Sequence, residues 1–345
     1  QTNLIILGKE KELTFIDIFG EAETVNKPIN RLVNLGGYGP YVTRALGARD
    51  ILVAIGSLSM KEKTKFCPEI SKLPAVKDDY EKIISLKPDA VQTSLEMKKY
   101  AKIGLPEKRE LQEKLPGIPL ISLNMREQDV LPQNLRTYGY ILDREDEAEE
   151  FIDWIEKYDD LIKSRTEGLS QDDRSRVYFE SHGKPYHIVP PGCRFSLPVV
   201  AAGGRNIADV IIGPDHPAYG KSWFIVDPEW VIEQNPEYIF THKGKGYETD
   251  DPSEVAAERE KILNRPELAN VDAVKNGHVY TICYEILGGA GNTIIGEVYM
   301  AKMFHPELFK DINPQEIHQE YVDKFCHIDF NVKEHGVFWY PPLEK

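Results

Sequence analysis

The sequence predicts an α/β protein of two Rossmann-like lobes with parallel sheets, joined by one long α-helix, with a ligand cleft between the lobes. Three observations predict it. Short apolar runs of buried-strand type alternate with helically spaced segments in both halves of the chain. A single long amphipathic stretch separates the halves. One unit, at 80–94, recurs at 228–242.

Taken in chain order, residues 13–25, LTFIDIFGEAETV, alternate apolar and polar around Gly20 and predict a hairpin at the edge of the first lobe. RLVNLG (31–36), ILVAIG (51–56), DAVQTS (89–94) and IPLISL (118–123) are short and apolar, as parallel strands covered on both faces must be. From Asp146 to about Leu169 the chain places Phe151, Ile155, Tyr158 and Ile162 on one helical face. Its acids gather in the first turns, where the helix dipole favours them, and Gly168 marks the stop. Strand-type runs then resume with RVYFES (176–181), PEYIFTH (236–242) and HVYTI (278–282), and a helix is predicted over Ile294–Phe304. The expected domains are an N-terminal lobe at 1–143, a connecting helix at 144–169, and a C-terminal lobe at 170–345 that carries a C-terminal helix and tail. The aromatic tail KEHGVFWYPPLEK is expected to pack back onto a lobe.

The repeat is gapless. YEKIISLKPDAVQTS lies over PEWVIEQNPEYIFTH, so that Glu81 and Glu229 open equivalent short helices, each with an apolar pair behind it. Pro88 and Pro236 end the helices, because proline cannot continue a helix but leads readily into a strand. Each strand ends in a threonine, Thr93 or Thr241. Equivalent acids on two lobes suit docking onto a two-fold symmetric partner.

Composition narrows the classes. With 345 residues, 41% hydrophobic and 28% charged, the chain can form two ordinary soluble cores. A formal charge of −14 repels a polyphosphate backbone and excludes nucleic acid as the expected partner. No apolar run approaches the roughly 20 residues that span a bilayer, so no membrane-spanning helix is expected in the sequence. The start at Gln1, without Met or a signal-peptide core, reads as processed or trimmed. Four cysteines, Cys67, Cys193, Cys283 and Cys326, form no CxxC, which argues against a zinc knuckle or a thioredoxin-like motif. A Cys193–Cys283 disulfide and four free thiols both fit the spacing. No GxSxG elbow, Walker loop or HExxH is present, so no catalytic residue is assigned and no resident cofactor is expected.

The chain resembles the helical-backbone (class III) substrate-binding proteins of ABC importers, which include cobalamin, ferric-siderophore and haem binding proteins. The resemblance rests on DIFGEAETV followed by NRLVNLGGYGPYVTRALGA, on YEKIISLKPDAV, the long middle helix, AGGRNIADV (202–210) and DPEWVIEQNPEYIF, in that order. It implies an extracytoplasmic protein, periplasmic or anchored at the cell surface, that captures a metal-chelate nutrient and hands it to an ABC permease dimer. It also implies that Glu81 and Glu229 meet arginines of the permease. An acid favoured at a helix start by the dipole alone, worth about 0.3–1 kcal/mol, is the plainer explanation of either glutamate taken singly.

Candidate ligand contacts come from the loops after the strands. GGYGP (36–40) lets a backbone come close and leaves N–H groups for an anion, with Tyr38 either on the ligand or over the helix start. Ser57, Ser59 and Ser94 end the neighbouring strands, as contacts or as caps. In HIVPPGCRFSLP (187–198), Arg194 and Phe195 suit a carboxylate or catecholate beside an apolar face, unless Arg194 answers Glu180 or Asp209. Trp223 matches, by the resemblance, an aromatic that packs on the corrin ring. Tyr284 and Glu285 follow HVYTI beside glycines, in what is otherwise a plain strand-to-helix connection. No bare-metal site is expected, because the histidines begin only at His182. For haem, Tyr38, His182, His187 and His242 are all candidate axial ligands. The competing readings are a surface sensor of the same fold without transport, and an α/β enzyme.

Overall fold

A computed structural model describes residues 11–56, 58–93 and 108–343. The chain forms two compact units. Unit 1 comprises residues 1–155, 289–291 and 320–330; unit 2 comprises 156–288, 292–319 and 331–345.

In unit 1, β1 (Glu12–Ile16) pairs antiparallel with β2 (Ala22–Asn26) as a separate two-stranded sheet. The Asp17 carboxylate closes the turn by accepting from the backbone N–H of Phe19 and of Glu21, both at 2.9 Å. Lys108 grips the hairpin, its Nζ lying 2.7 Å from Asp17, 3.1 Å from Glu21 and 3.2 Å from Glu23.

The main sheet of unit 1 follows the expected βα alternation. It is built from β3 (Leu32–Asn34), α1 (Gly39–Ala45), β4 (Leu52–Ile55), α2 (Tyr80–Ser85), β5 (Ala90–Thr93), α3 (Lys108–Lys114) and β6 (Leu120–Ser122). All pairings are parallel, in the order β4-β3-β5-β6. Val33, Ala54 and Val91 of the strands bury against Ile83 of α2 and Leu111 of α3. This is why those strand runs read as continuously apolar.

Helix α4 (Leu131–Leu142) leads through Asp143, in a left-handed conformation at φ 54°, into the long connecting helix α5 (Glu145–Thr166). The first half of α5 presents Phe151 and Trp154 to Tyr321 and Phe325 of unit 1, with ring centroids 4.5 Å apart for Phe151–Phe325 and 5.4 Å for Trp154–Tyr321. In the structure this aromatic cluster draws residues 320–330 into unit 1.

Unit 2 contains β7 (Ser175–Glu180), β8 (His187–Ile188), α6 (Leu197–Ala201), β9 (Gly204–Asn206), β10 (Phe224–Ile225), α7 (Pro228–Gln234), β11 (Tyr238–His242), α8 (Ser253–Leu263), α9 (Asp272–Lys275), β12 (Val279–Ile282), α10 (Thr293–Phe304) and β13 (Trp339–Tyr340), with α11 (Pro314–Tyr321) leading back to unit 1. Its sheet runs β10-β8-β7-β11-β12-β13, with β9 on β7. β7, β9, β11 and β12 are parallel, whereas β8, β10 and β13 pair antiparallel at the edges. The aromatic tail packs onto this unit: Trp339 and Tyr340 pair with Ile282 and Thr281. The four cysteines are free thiols, all buried.

The repeat is reproduced in three dimensions. α2 and α7 are each capped by an aspartate: Asp79 accepts from the Lys82 N–H and Asp227 from the Glu229 N–H. Ile83 and Val231 are both 0% exposed. β5 and β11 then join their sheets in the same register, Ala90 opposite Leu32 and Tyr238 opposite Val177.

Candidate ligand-binding and docking sites

The C-terminal ends of the parallel strands are where open α/β sheets bind ligands. In unit 2, three of the expected contacts meet there. The Arg194 guanidinium lies 4.6 Å from the Phe195 ring centroid and 4.8 Å from that of Tyr284. Phe195, 1% exposed, stacks at 4.6 Å and 27° on His242, the last residue of β11. Phe179 of β7 closes the cluster, 6.0 Å from Phe195. A half-buried cation thus rests on a supported aromatic floor, where charge and ring reinforce each other by about 0.5–2 kcal/mol.

Local chemistry sets this geometry. Asn206 of β9 donates from Nδ2 to the Val189 carbonyl at 2.8 Å and to Ser196 Oγ at 2.9 Å, stitching both ends of the proline-rich loop. Gly192 sits at φ 72°, and an added Cβ there would lie 2.4 Å from the Tyr219 ring, so both the backbone and the space call for glycine. Tyr284 opens a short turn after β12, where Asn292 donates to the Glu285 carbonyl at 2.9 Å. Glu285 turns inward, 7% exposed, toward Gly246. Burial, reinforced by the Glu285 carboxylate, pushes the Cys283 thiol well above its ordinary range.

Of the two acids named as internal partners for Arg194, Glu180 and Asp209, the first is engaged elsewhere: Glu180 accepts from Arg265 Nη1 and Nη2 at 2.6 and 2.7 Å. Trp223 is 46% exposed at the head of β10, its ring 4.8 Å from that of His187.

In unit 1, Tyr38 occupies the N-cap of α1, half-buried, without a side-chain capping bond. Beneath the loop, Asn34 of β3 and Gln92 of β5 are 0% exposed and press against Gly39, where an added Cβ would lie 2.1 Å from Gln92 Oε1. Each interrupts an otherwise apolar run, the only sequence signal either residue carries. Ser59 lies in the short turn Leu58–Glu62, while Ser57 and Ser94 fall outside the described residues.

Glu81 and Glu229 are both exposed, each the second residue of its helix. Among the described residues no cluster of three or more His, Cys, Asp or Glu could hold a metal ion. No helix among them is long and apolar enough to cross a membrane.

Two α/β units, a single long connecting helix and a duplicated helix–strand unit define the helical-backbone class of solute-binding proteins. The chain belongs to the periplasmic binding protein family, whose model matches residues 42–284. It is 24% identical over 335 residues to the molybdate-binding protein MolA of Haemophilus influenzae, a match covering 88% of this chain and 87% of MolA. The fold is similar to that of molybdate-bound MolA (TM-score 0.72, 21% identity, 92% of this chain and 98% of that one). It is also similar to the TroA-like periplasmic binding protein FepB of Veillonella parvula (TM-score 0.75, 20% identity, 94% and 98%) and to CeuE of Helicobacter pylori (TM-score 0.66, 22% identity, 94% and 98%). The chain is therefore the extracytoplasmic, non-catalytic binding component of an ABC importer.

Proposed function

We propose that the protein captures a metal chelate whose anionic oxygen donors sit beside an apolar or ring-like face, and delivers it to a dimeric permease through Glu81 and Glu229. A ferric siderophore, a corrinoid or haem belongs to this class. The observation that carries the reading is Arg194 over Phe195 and Tyr284, which offers a guanidinium fork to a carboxylate or catecholate and the half-buried Tyr284 ring to the adjoining face, with the buried Phe195 supporting both from beneath. Tyr38, Ser57, Ser59, Ser94, Trp223 and Glu285 are proposed as further contacts. Trp223 supports the same chemistry, because an aromatic 46% exposed beside His187 leaves apolar area for a ligand to cover. The exposed acids at matching helix positions support docking onto a partner with repeated cationic contacts.

A bare metal oxyanion is the second reading, favoured by the likeness to molybdate-binding MolA. It would use the charge of Arg194 and leave the rings without a role. The purified protein titrated by calorimetry with ferric catecholates, ferric hydroxamates, haem, cobalamin and molybdate separates them. Binding of a chelate that weakens at least about tenfold in Arg194→Gln supports the first reading. Molybdate alone supports the second, and silence across the panel removes both.

A further inference from the structure

We propose that Arg31 and Arg176 are a matched pair of positioning residues that hold the two docking helices at a fixed angle on their sheets. The inference rests on the docking reading of Glu81 and Glu229. In unit 1, Arg31 donates from Nε and Nη2 to the Leu86 carbonyl at 3.0 and 2.6 Å, and from Nε to the Lys87 carbonyl at 3.3 Å. In unit 2, Arg176 donates from Nε and Nη2 to the Asn235 carbonyl at 3.2 and 3.1 Å. Lys87 and Asn235 are the same position of the repeat.

The backbone around each arginine is equally matched. The Arg31 N–H donates to the Asp89 carboxylate at 2.9 Å, and the Asp89 N–H returns to the Arg31 carbonyl at 2.8 Å. The Arg176 N–H donates to the Glu237 carboxylate at 2.8 Å, and the Glu237 N–H returns to the Arg176 carbonyl at 2.9 Å. Asp89 and Glu237 are again equivalent in the repeat. Two arginines at the heads of equivalent strands, both reaching the carbonyl at the shared Lys87/Asn235 position, with the shorter Arg31 bonds one residue earlier at Leu86, and both paired with equivalent acids, mark one device kept twice.

The device suits its place. α2 and α7 span only Tyr80–Ser85 and Pro228–Gln234, too short to hold themselves in water, so their direction is set by what fixes their ends. An aspartate caps the N-terminal end of each, and the arginine secures the C-terminal end, where the helix dipole concentrates negative charge. A helix of this length is about 9 Å long, so a tilt of about 10° at the clamped end carries the opposite glutamate by ~1.5 Å. That displacement exceeds the tolerance of a bidentate contact between a carboxylate and an arginine.

The test measures binding of the full-length protein to its cognate permease in nanodiscs, with amide hydrogen exchange over α2 and α7. Arg31→Met with Arg176→Met is expected to weaken permease binding at least about tenfold and to speed exchange in both helices. Charge alone predicts the opposite sign, because removing two cations makes the surface more attractive to a basic partner. Arg31→Lys with Arg176→Lys, which keeps the charge but not the fork, is expected to fall between the wild type and the Met pair. Ile121→Val with Ile239→Val serves as the control for general destabilisation and is expected to leave permease binding unchanged.

Unchanged or tighter permease binding in the Met pair overturns the inference, provided Glu81→Ala with Glu229→Ala abolishes binding. An equal loss in the Ile→Val control also overturns it. If the glutamate pair itself binds normally, the docking reading falls and the inference falls with it.

Discussion

Lys87 and Asn235 hold the same left-handed backbone conformation, φ 48° and 42°, at the same point of the repeated unit, one residue before Pro88 and Pro236. A side chain other than glycine pays about 1 kcal/mol in that region. Lys87→Gly is expected to stabilise the protein by about 0.5–1 kcal/mol in urea unfolding. Asn235 differs because its amide is bonded in both directions to Asp272, donating at 2.7 Å and accepting the Asp272 N–H at 2.9 Å. Asn235→Gly should therefore gain nothing, and Asn235→Ala should lose about 1–3 kcal/mol. Equal stabilisation by glycine at both positions would show that the Asp272 bonds contribute little.

Glu180 is 0% exposed and is satisfied by Arg265, by Tyr178 Oη at 2.9 Å and by the Tyr186 N–H at 3.1 Å. Arg265→Met leaves that carboxylate buried without its cation, and about 3–5 kcal/mol of stability should be lost. Adding Glu180→Gln should restore a large part of it, since the buried charge is then gone. A double variant no more stable than Arg265→Met would assign the loss to packing instead.

His318 is fully buried, with Nε2 2.7 Å from Tyr247 Oη, and burial pushes its pKa down to about 3. The unfolded chain binds this proton near pH 6.5 while the folded one does not, so the unfolded state holds more protons between those values. Stability is therefore expected to fall as the pH drops from about 6.5 toward 3, by at most ~1.4 kcal/mol per pH unit from this group. His318→Phe should flatten that limb of the melting temperature against pH. An unchanged slope would place the acid sensitivity elsewhere.

The elements that could be read from the sequence were those whose residues determine them locally. The runs around Val33, Val91 and Tyr178 are apolar because both faces are covered, and α5 shows its period over many turns. β8, β10 and β13 are two residues each, and nothing local distinguishes His187–Ile188 or Trp339–Tyr340 from loop. Their pairing is decided by neighbours distant in the chain. The same holds for residues 320–330, drawn to Phe151 and Trp154 by aromatic packing that no spacing announces.

Of the proposed docking residues, Glu81 and Glu229 are visible in the sequence because both copies of the repeat align without a gap. Arg31 and Arg176 escaped because each grips carbonyls some 55–59 residues away. A signal was present: RLVN at 31–34 and RVYF at 176–179 both place an arginine at the head of the strand beside the repeat. These segments sit at a different offset from the helix–strand units, so a gapless comparison passes over them. Arg194 and Tyr284 are far apart in sequence and meet only because β12 and the proline-rich loop converge on Phe195.

Delivery by paired acids is tested most directly by comparing ligand binding with uptake in Glu81→Ala/Glu229→Ala. Calorimetry with whichever chelate binds the wild type should give the same affinity within about twofold, while uptake by cells carrying the permease should fall to background. Uptake at the wild-type rate with both glutamates removed would contradict the docking role and leave a binding protein that meets its permease elsewhere.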